Sequence, residues 1–317
     1  MTPTNNAEAF DVIVLGGGPA GLTAGVYLGR AKLKTLILNE GSIGGQMVLT
    51  HAIANYPGAK IDISGRELSL DMQAQAKAFG CKIESNIEVT RMDLTGERKL
   101  IEIDDDQLFS AKAIIVATGG VPRPLGVDGE TKFKGSGVSY CATCDGDFFS
   151  DKEIIVVGGG NSALEEAVSL TQFAIKVTIV HQFNHFQATE HAIRMARENK
   201  KISFIMESEI QKILGDETLT GVEVMHMKTK NISRVAADGI FVFIGYIANT
   251  ASLPKVLTLN HRNEIITDEA MATTIAGVFA AGDVREKRYR QITTAVSDGT
   301  IAAMSTIEFL QNQASPN

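Results

Sequence analysis

The sequence predicts an α/β protein of two Rossmann-like dinucleotide-binding domains, each a three-layer ββα unit, with the second inserted into the first. Three observations carry this prediction. A glycine-rich turn joins an apolar run to a helical pattern near the start, the same arrangement returns near the middle, and glycine turns mark two points where the chain would leave and re-enter the first unit. At 317 residues with 44% apolar content, the chain is long enough for two domains.

Residues 10–15 are a short run rich in Val and Ile, followed by Gly16-Gly17-Gly18-Pro19-Ala20-Gly21 and a helical stretch over 22–28. In such a strand, turn and helix the first glycine permits a tight turn, the second lets backbone approach a pyrophosphate, and the third lets helix pack on strand. The free N–H groups at the helix start are donors for phosphates. A strand over 35–38 ends at Asn39 and Glu40, where a carboxylate can accept hydrogen bonds from both ribose hydroxyls of an adenosine.

The pattern returns as a strand over 154–157, then Gly158-Gly159-Gly160-Asn161-Ser162-Ala163, a helix over 164–170 and a strand over 177–180. At the register position that Glu40 holds in the first unit, the second has Gln182. A site for NADH is expected to carry Asp or Glu there, and a site for NADPH a nearby Arg. The stretch from His181 to Gln187 supplies neither. Two readings stand: a nicotinamide nucleotide held by the glycines with its specificity residues elsewhere, or a retained scaffold whose nucleotide function has gone. His181 and His185 have no third ligand at metal spacing and read as polar surface or cleft residues.

Just before the second glycine turn lies Cys141-Ala142-Thr143-Cys144-Asp145-Gly146. A two-residue gap lets one disulfide close and reopen. A structural zinc needs four ligands, and the remaining cysteine is an isolated Cys81 on a polar segment before Ile83, so no metal site is expected. A strand-like run over 113–116 ends in Ala117-Thr118-Gly119-Gly120, with turn chemistry through Pro124. Its counterpart is the run 239–244, leading into Gly245 and Asn249. These crossings set the domains at 1–119, 120–246 and 247–317. An apolar run over 278–281 leads to Gly282 and Asp283, and an apolar helix over 292–310 closes the chain.

A formal charge of -7 argues against a nucleic-acid partner. No apolar run of bilayer-spanning length occurs, and the first ten residues lack a signal-peptide pattern. The chain therefore reads as cytoplasmic, with no membrane partner, in a compartment where a Cys-x-x-Cys pair is more often catalytic than structural.

Taken in order and spacing, these motifs resemble the low-molecular-weight thioredoxin reductases across nearly the whole chain. The residues that carry the resemblance are Gly16 to Gly21, Gly44-Gly45-Gln46, Asn55-Tyr56-Pro57-Gly58, Ala117-Thr118-Gly119, Cys141 to Gly146, Gly158 to Ala163, Gly282-Asp283, and Arg290-Gln291-Ile292-Thr293-Thr294-Ala295. The resemblance implies FAD in the first domain, with Gly16, Gly18, Pro19, Ala20 and Gly21 at the pyrophosphate and Glu40 at the adenosine ribose. It places Gly45, Gln46 and Asn55, with Thr118 and Gly119, around the flavin, and Gly282 and Asp283 at the ribityl chain. The backbone of Gln291 and Ile292 would face the pyrimidine end of the ring, where N–H donors stabilise negative charge. It further implies a homodimer that reduces thioredoxin. Cys144 would be the sulfur next to the flavin, Cys141 the thiol that attacks thioredoxin, and Asp145, adjacent to Cys144, the acid–base group moving a proton to or from the departing thiolate.

One departure stands out. NADPH-using members carry His-Arg-Arg and a further Arg four residues on, and here those positions read Gln182, Phe183 and Gln187. No guanidinium remains there to grip a 2'-phosphate. In this the chain is more similar to the ferredoxin-dependent flavin thioredoxin reductases, which implies reduced ferredoxin as the donor. The alternatives are an NADPH- or NADH-dependent thioredoxin reductase, a pyridine-nucleotide-independent reductase with another donor, and a non-catalytic redox sensor. Ferredoxins are acidic, so the basic run from Arg285 to Arg290 is the expected docking patch.

Overall fold

The computed structural model describes residues 7–314 apart from His51, Ala52, Ala54 and Asp62. The chain divides into two compact units, Met1–Val121 with Ile247–Asn317, and Pro122–Tyr246.

The first unit opens with β1 (Glu8–Leu15), α1 (Pro19–Arg30) and β2 (Thr35–Asn39), the strand, turn, helix and strand of the first glycine motif. Then come α2 (Gly65–Ala78), β3 (Lys82–Ser85), β4 (Val89–Asp93), β5 (Lys99–Ile103) and β6 (Gln107–Val116). Ser64 starts α2 with a capping box: its hydroxyl accepts from Glu67 N at 3.1 Å, and the Glu67 carboxylate accepts from Ser64 N at 3.0 Å. The connecting strand β7 (Gly120–Pro122) leads out of this unit.

The second unit holds α3 (Glu130–Phe133), β8 (Val138–Ser139), α4 (Ala142–Asp145), β9 (Glu153–Val157), α5 (Asn161–Leu170), β10 (Lys176–Val180), α6 (Glu190–Glu198), β11 (Ile202–Ile205), β12 (Ser208–Gly215), β13 (Leu219–His226), β14 (Ile232–Ala236) and β15 (Gly239–Val242). The return strand β16 (Tyr246–Ala248) pairs with β7, and the first unit finishes with β17 (Val278–Ala280) and α7 (Ile292–Ala314).

Among the described residues, the first unit's sheet runs β3-β2-β1-β6-β5-β4, with β17 also on β6. β6 serves two partners along one edge. Residues 107–111 pair antiparallel with β5 and 114–116 pair parallel with β17. Strand alternation then sorts the core into two layers. Val12, Val14, Ile37, Ala113 and Ile115 pack towards α1, α2 and α7, whereas Ile13, Leu15, Leu36, Leu38 and Ile114 pack with Ile101, Ile103 and Phe109 of the antiparallel ribbon. Helices, parallel sheet and antiparallel strands are the three layers expected from the sequence.

The second unit repeats the plan. Its parallel sheet runs β11-β10-β9-β15-β8, and β12-β13-β14 form the antiparallel layer. Ile154, Val156, Val177 and Ile179 pack with Leu164, Ala167 and Leu170 of α5, and Ile155, Val157 and Val180 pack with Ile210, Val222 and Val224. Among the described residues, no helix is long and apolar enough to cross a membrane.

Candidate active site

In the first unit the glycines of the turn are used in different ways. Gly16 sits at φ +112°, and a Cβ there would lie 2.2 Å from Ala117 O. A Cβ on Gly21 would lie 1.9 Å from Gly16 O. Both glycines are required by the protein's own backbone. Gly18 is different: the nearest atom to its would-be Cβ is Gly45 Cα, at 4.0 Å. Gly18 precedes α1, which has Pro19 in its first turn, no capping side chain and no acidic residue near its start. Open ground beside uncapped helix N–H groups is the chemistry of a phosphate cradle. Gly45, at φ +61°, forms the facing wall.

Sequence reasoning missed the residue that holds this turn in place. Asn39 Oδ1 accepts from Gly17 N at 2.8 Å, and its amide donates to the carbonyls of Gly41 and Ser42. Gly44 N then donates to Gly17 O at 2.8 Å, bringing the loop of Gly45 and Gln46 beside the glycine turn. Glu40 is exposed, and its Oε1 accepts from Val89 N at a long 3.4 Å.

Residues distant in sequence also meet within the first unit. Asn55 Nδ2 donates to Gln291 Oε1 at 3.2 Å across 236 residues. Thr118 Oγ1 donates to Asn249 O at 2.8 Å, Asn249 Nδ2 donates back to Thr118 O, and Asn249 N donates to Gly119 O. Gln291 N, expected as an open donor, instead donates to Thr294 Oγ1 at 3.2 Å. That leaves Ile292, at the start of α7, as the open donor of the pair.

Asp283 lies in the turn between β17 and α7, and its buried Oδ1 has no hydrogen-bond partner among the described residues. Lys287 Nζ stands 3.9 Å away, too far for a hydrogen bond. Burial pushes the Asp283 carboxyl up to about 6, against the opposing pull of Lys287 and Arg290. An orphaned buried acceptor of this kind suits a hydroxyl-rich ligand. Gly282 N is fixed by Asp298 Oδ2 at 3.1 Å.

In the second unit Cys141 and Cys144 form a disulfide, with Cα atoms 5.3 Å apart. Cys141 is the residue before α4, and Asp145 is the last residue of that single turn. Ser139, at the end of β8, was not singled out in the sequence. Its hydroxyl lies 2.6 Å from Asp145 Oδ2 and accepts from Cys141 N at 3.1 Å.

Residues 10–299 match the family described as pyridine nucleotide-disulphide oxidoreductase. The thioredoxin reductase of Peptoclostridium acidaminophilum is 42% identical over 310 residues, covering 96% of this chain and 98% of that protein. The chain belongs to the thioredoxin reductase family. The 34.2 kDa protein in rubredoxin operon of Clostridium pasteurianum is also 42% identical, over 303 residues, with 96% and 98% covered. The crystal structure of thioredoxin reductase from Streptococcus pyogenes MGAS5005 matches with a TM-score of 0.89 at 40% identity, covering 97% of this chain and 100% of that one.

Thioredoxin reductases are FAD flavoproteins, and FAD is the cofactor here. The first unit fits it. The ground between Gly18 and Gly45 suits a pyrophosphate, and the orphaned Asp283 oxygen suits a sugar-alcohol hydroxyl. Asp283 also yields a pH prediction. Below the ordinary carboxyl value of 3.8 both folded and unfolded chains hold its proton, and between there and about 6 only the folded chain does. Stability of the FAD-free protein therefore falls as pH rises through that window and stays lowered above it. Asp283→Asn removes this slope, and its FAD-free thermal midpoint at pH 7 rises by about 2–4 °C. A variant that keeps the wild-type pH slope would refute this assignment.

Three sequence expectations need correction in this thioredoxin reductase. First, the basic run is not a free docking patch. Lys287 has 7% of its side chain exposed and bonds Asp298 at 2.7 Å, Arg285 contacts Asp298 at 3.5 Å, and Arg290 pairs with buried Glu264. These cations neutralise buried carboxylates, and Arg288 is left facing outward beside Tyr289. Second, His181 is buried rather than a surface or cleft residue. Its ring fills the space that Gly159 leaves, a Cβ there falling 2.3 Å from the imidazole, and it stacks on Phe186. Burial holds its pKa below the ordinary imidazole value. Third, Cys81 lies in the core rather than on a polar segment; its thiol donates to Gly25 O and burial pushes it up to about 11. It is a packing residue with negligible thiolate.

The second glycine turn keeps its backbone geometry. Gly158 sits at φ +138° against Phe243 O, and Gly160 starts α5 with no capping side chain. Gln187 N donates to Gly159 O at 2.8 Å, which lays the segment 182–187 along the turn. Gln182, Phe183 and Gln187 are exposed on that segment, and none carries a charge.

Proposed function

We propose that this thioredoxin reductase draws its electrons from reduced ferredoxin and passes them, through FAD in the first unit, to the Cys141–Cys144 disulfide and on to thioredoxin. The observation that supports this donor is the uncharged rim of Gln182, Phe183 and Gln187 along the second glycine turn. A 2'-phosphate is bound best by guanidinium forks, and an amide replaces neither the charge nor the paired donors.

FAD, when bound, exchanges electrons singly with a one-electron carrier and in a pair with a disulfide. The chain's residues do the rest. Gly18, with Pro19 and Ala20 at the start of α1, would hold the pyrophosphate in the turn whose backbone Gly16 and Gly21 allow to close, Glu40 would hold the adenosine ribose, and Gly282 with Asp283 the ribityl chain. Gly45, Gln46, Asn55, Thr118, Gly119, Gln291 and Ile292 would surround the ring. Once the disulfide is reduced, Cys141 attacks thioredoxin and forms a mixed disulfide, which Cys144 resolves. Asp145 moves the proton at Cys144. Exposed Phe148, four residues past Cys144, gives the incoming protein an apolar contact. Assembly as a homodimer, on the family resemblance, and a cytoplasmic location, on the sequence reading, complete the proposal.

The intact Gly158 and Gly160 geometry favours the second reading, a nicotinamide nucleotide donor. One anaerobic experiment separates the two. Oxidised holoprotein is mixed with NADPH, NADH or reduced ferredoxin while the flavin absorbance is followed. Rapid bleaching is expected with ferredoxin alone, and rapid bleaching by micromolar NADPH or NADH overturns the proposed donor.

A further inference from the structure

The hydroxyl of Ser139 stands at the junction of two elements the chemistry needs. Ser139 is 5% exposed, so water does not compete for its bonds. It accepts from Cys141 N at 3.1 Å and reaches Asp145 Oδ2 at 2.6 Å, with Cys141 O at 3.3 Å as the alternative acceptor for its single proton. The shorter contact to a carboxylate takes that proton.

The turn it braces is weak on its own. α4 has four residues, and the side chain of Cys141 supplies no cap. Asp145 N donates to Cys141 O at 3.2 Å. In the oxidised protein the S–S bond also ties position 141 to position 144. Reduction removes that covalent tie, at the stage when the thiols must keep their places.

We infer that Ser139 is a positioning residue for the dithiol, tying the Cys141 backbone to the Asp145 carboxylate so that the proton-transfer group stays in register after the disulfide opens. The inference rests on the proposed role of Asp145. The step it serves is balanced: the Cys141 thiolate bonds one sulfur of the substrate disulfide and expels the other as a thiolate, which takes up a proton. Cys144, giving its proton to Asp145, then bonds Cys141 and expels the second thiolate. Two electrons leave the dithiol, the substrate disulfide is reduced, and the Cys141–Cys144 bond is restored.

The test uses FAD-loaded protein reduced anaerobically with dithionite, freed of reductant and mixed with 5,5'-dithiobis(2-nitrobenzoate), so no biological donor enters. Four variants are compared: Ser139→Ala, Ser139→Thr, Asp145→Asn and the double variant Ser139→Ala with Asp145→Asn. FAD content and thermal midpoint check the fold of each. Ser139→Ala is expected to slow thionitrobenzoate release about tenfold, the scale of one hydrogen bond to a charged group. Ser139→Thr, which keeps the hydroxyl, restores the rate to within about threefold of wild type. Because the serine acts through the carboxylate, Ser139→Ala adds little once Asp145→Asn is present. A wild-type rate for Ser139→Ala, no rescue by Thr, or effects that multiply in the double variant overturn the inference while leaving the role of Asp145 standing. A wild-type rate for Asp145→Asn overturns that role and the inference with it.

Discussion

Replacing Cys144 with Ser is expected to lower thioredoxin reduction by at least about three orders of magnitude, with FAD content and thermal midpoint at wild-type values. The size follows from the chemistry, because a serine hydroxyl neither accepts an electron pair from a reduced cofactor nor closes a disulfide, so no slower version of the route remains. The fold is spared because the cysteine pair lies on a short turn at partly exposed positions, outside the apolar clusters. The two cysteines are told apart by trapping. Cys144→Ser leaves the Cys141 thiol able to attack, and it accumulates a mixed disulfide with a thioredoxin whose own resolving cysteine has been removed. Cys141→Ser forms none. Non-reducing gels read the result, and equal trapping by both variants would reverse or abolish the assigned order.

The second large effect separates two glycines three positions apart. Gly21→Ala places a methyl carbon 1.9 Å from Gly16 O, a backbone atom with no freedom to retreat. The cost is about 3 kcal/mol or more, because strand, turn and helix must all move. Gly18→Ala adds the same carbon where the nearest atom is 4.0 Å away, at φ -81°, which alanine accepts. FAD-free Gly18→Ala therefore melts close to FAD-free wild type, while Gly21→Ala melts well below it or fails to accumulate. Gly18→Ala instead retains FAD at least about tenfold more weakly, since the new methyl occupies the cradle, a loss of about 1.4 kcal/mol. Calorimetry of the FAD-free proteins and titration with FAD read the two effects. Similar melting points for the two variants would remove the division of labour between these glycines.

What the sequence disclosed and what it hid divide along a physical line. Strand, turn and helix signals are local, so both glycine motifs, their strands and the terminal helix could be read from neighbouring residues. The braces of the site are not local. Asn39 reaches back to Gly17, Asn55 meets Gln291, and Asp298 holds both Gly282 and Lys287, none of them at a spacing that any local pattern marks. Ser139 lies close to Cys141 in sequence, yet its value comes from burial and from the turn that brings Asp145 back to it. The errors have the same origin. The run from Arg285 to Arg290 looked like a basic patch because Glu264 and Asp298, which neutralise it, lie elsewhere in the chain. His181 looked like a surface residue because the glycine that makes room for its ring belongs to a different strand end.

The pairing of β7 with β16 has a consequence for how such a protein could arise. Arg123 N bonds Gly245 O and Asn249 N bonds Gly119 O, so the chain departs and comes back at neighbouring points, as it would at the tip of an ordinary hairpin. A gene segment coding for residues 122–246 could thus be spliced in or out at one loop, with the ancestral host's strand order and helix partners left undisturbed.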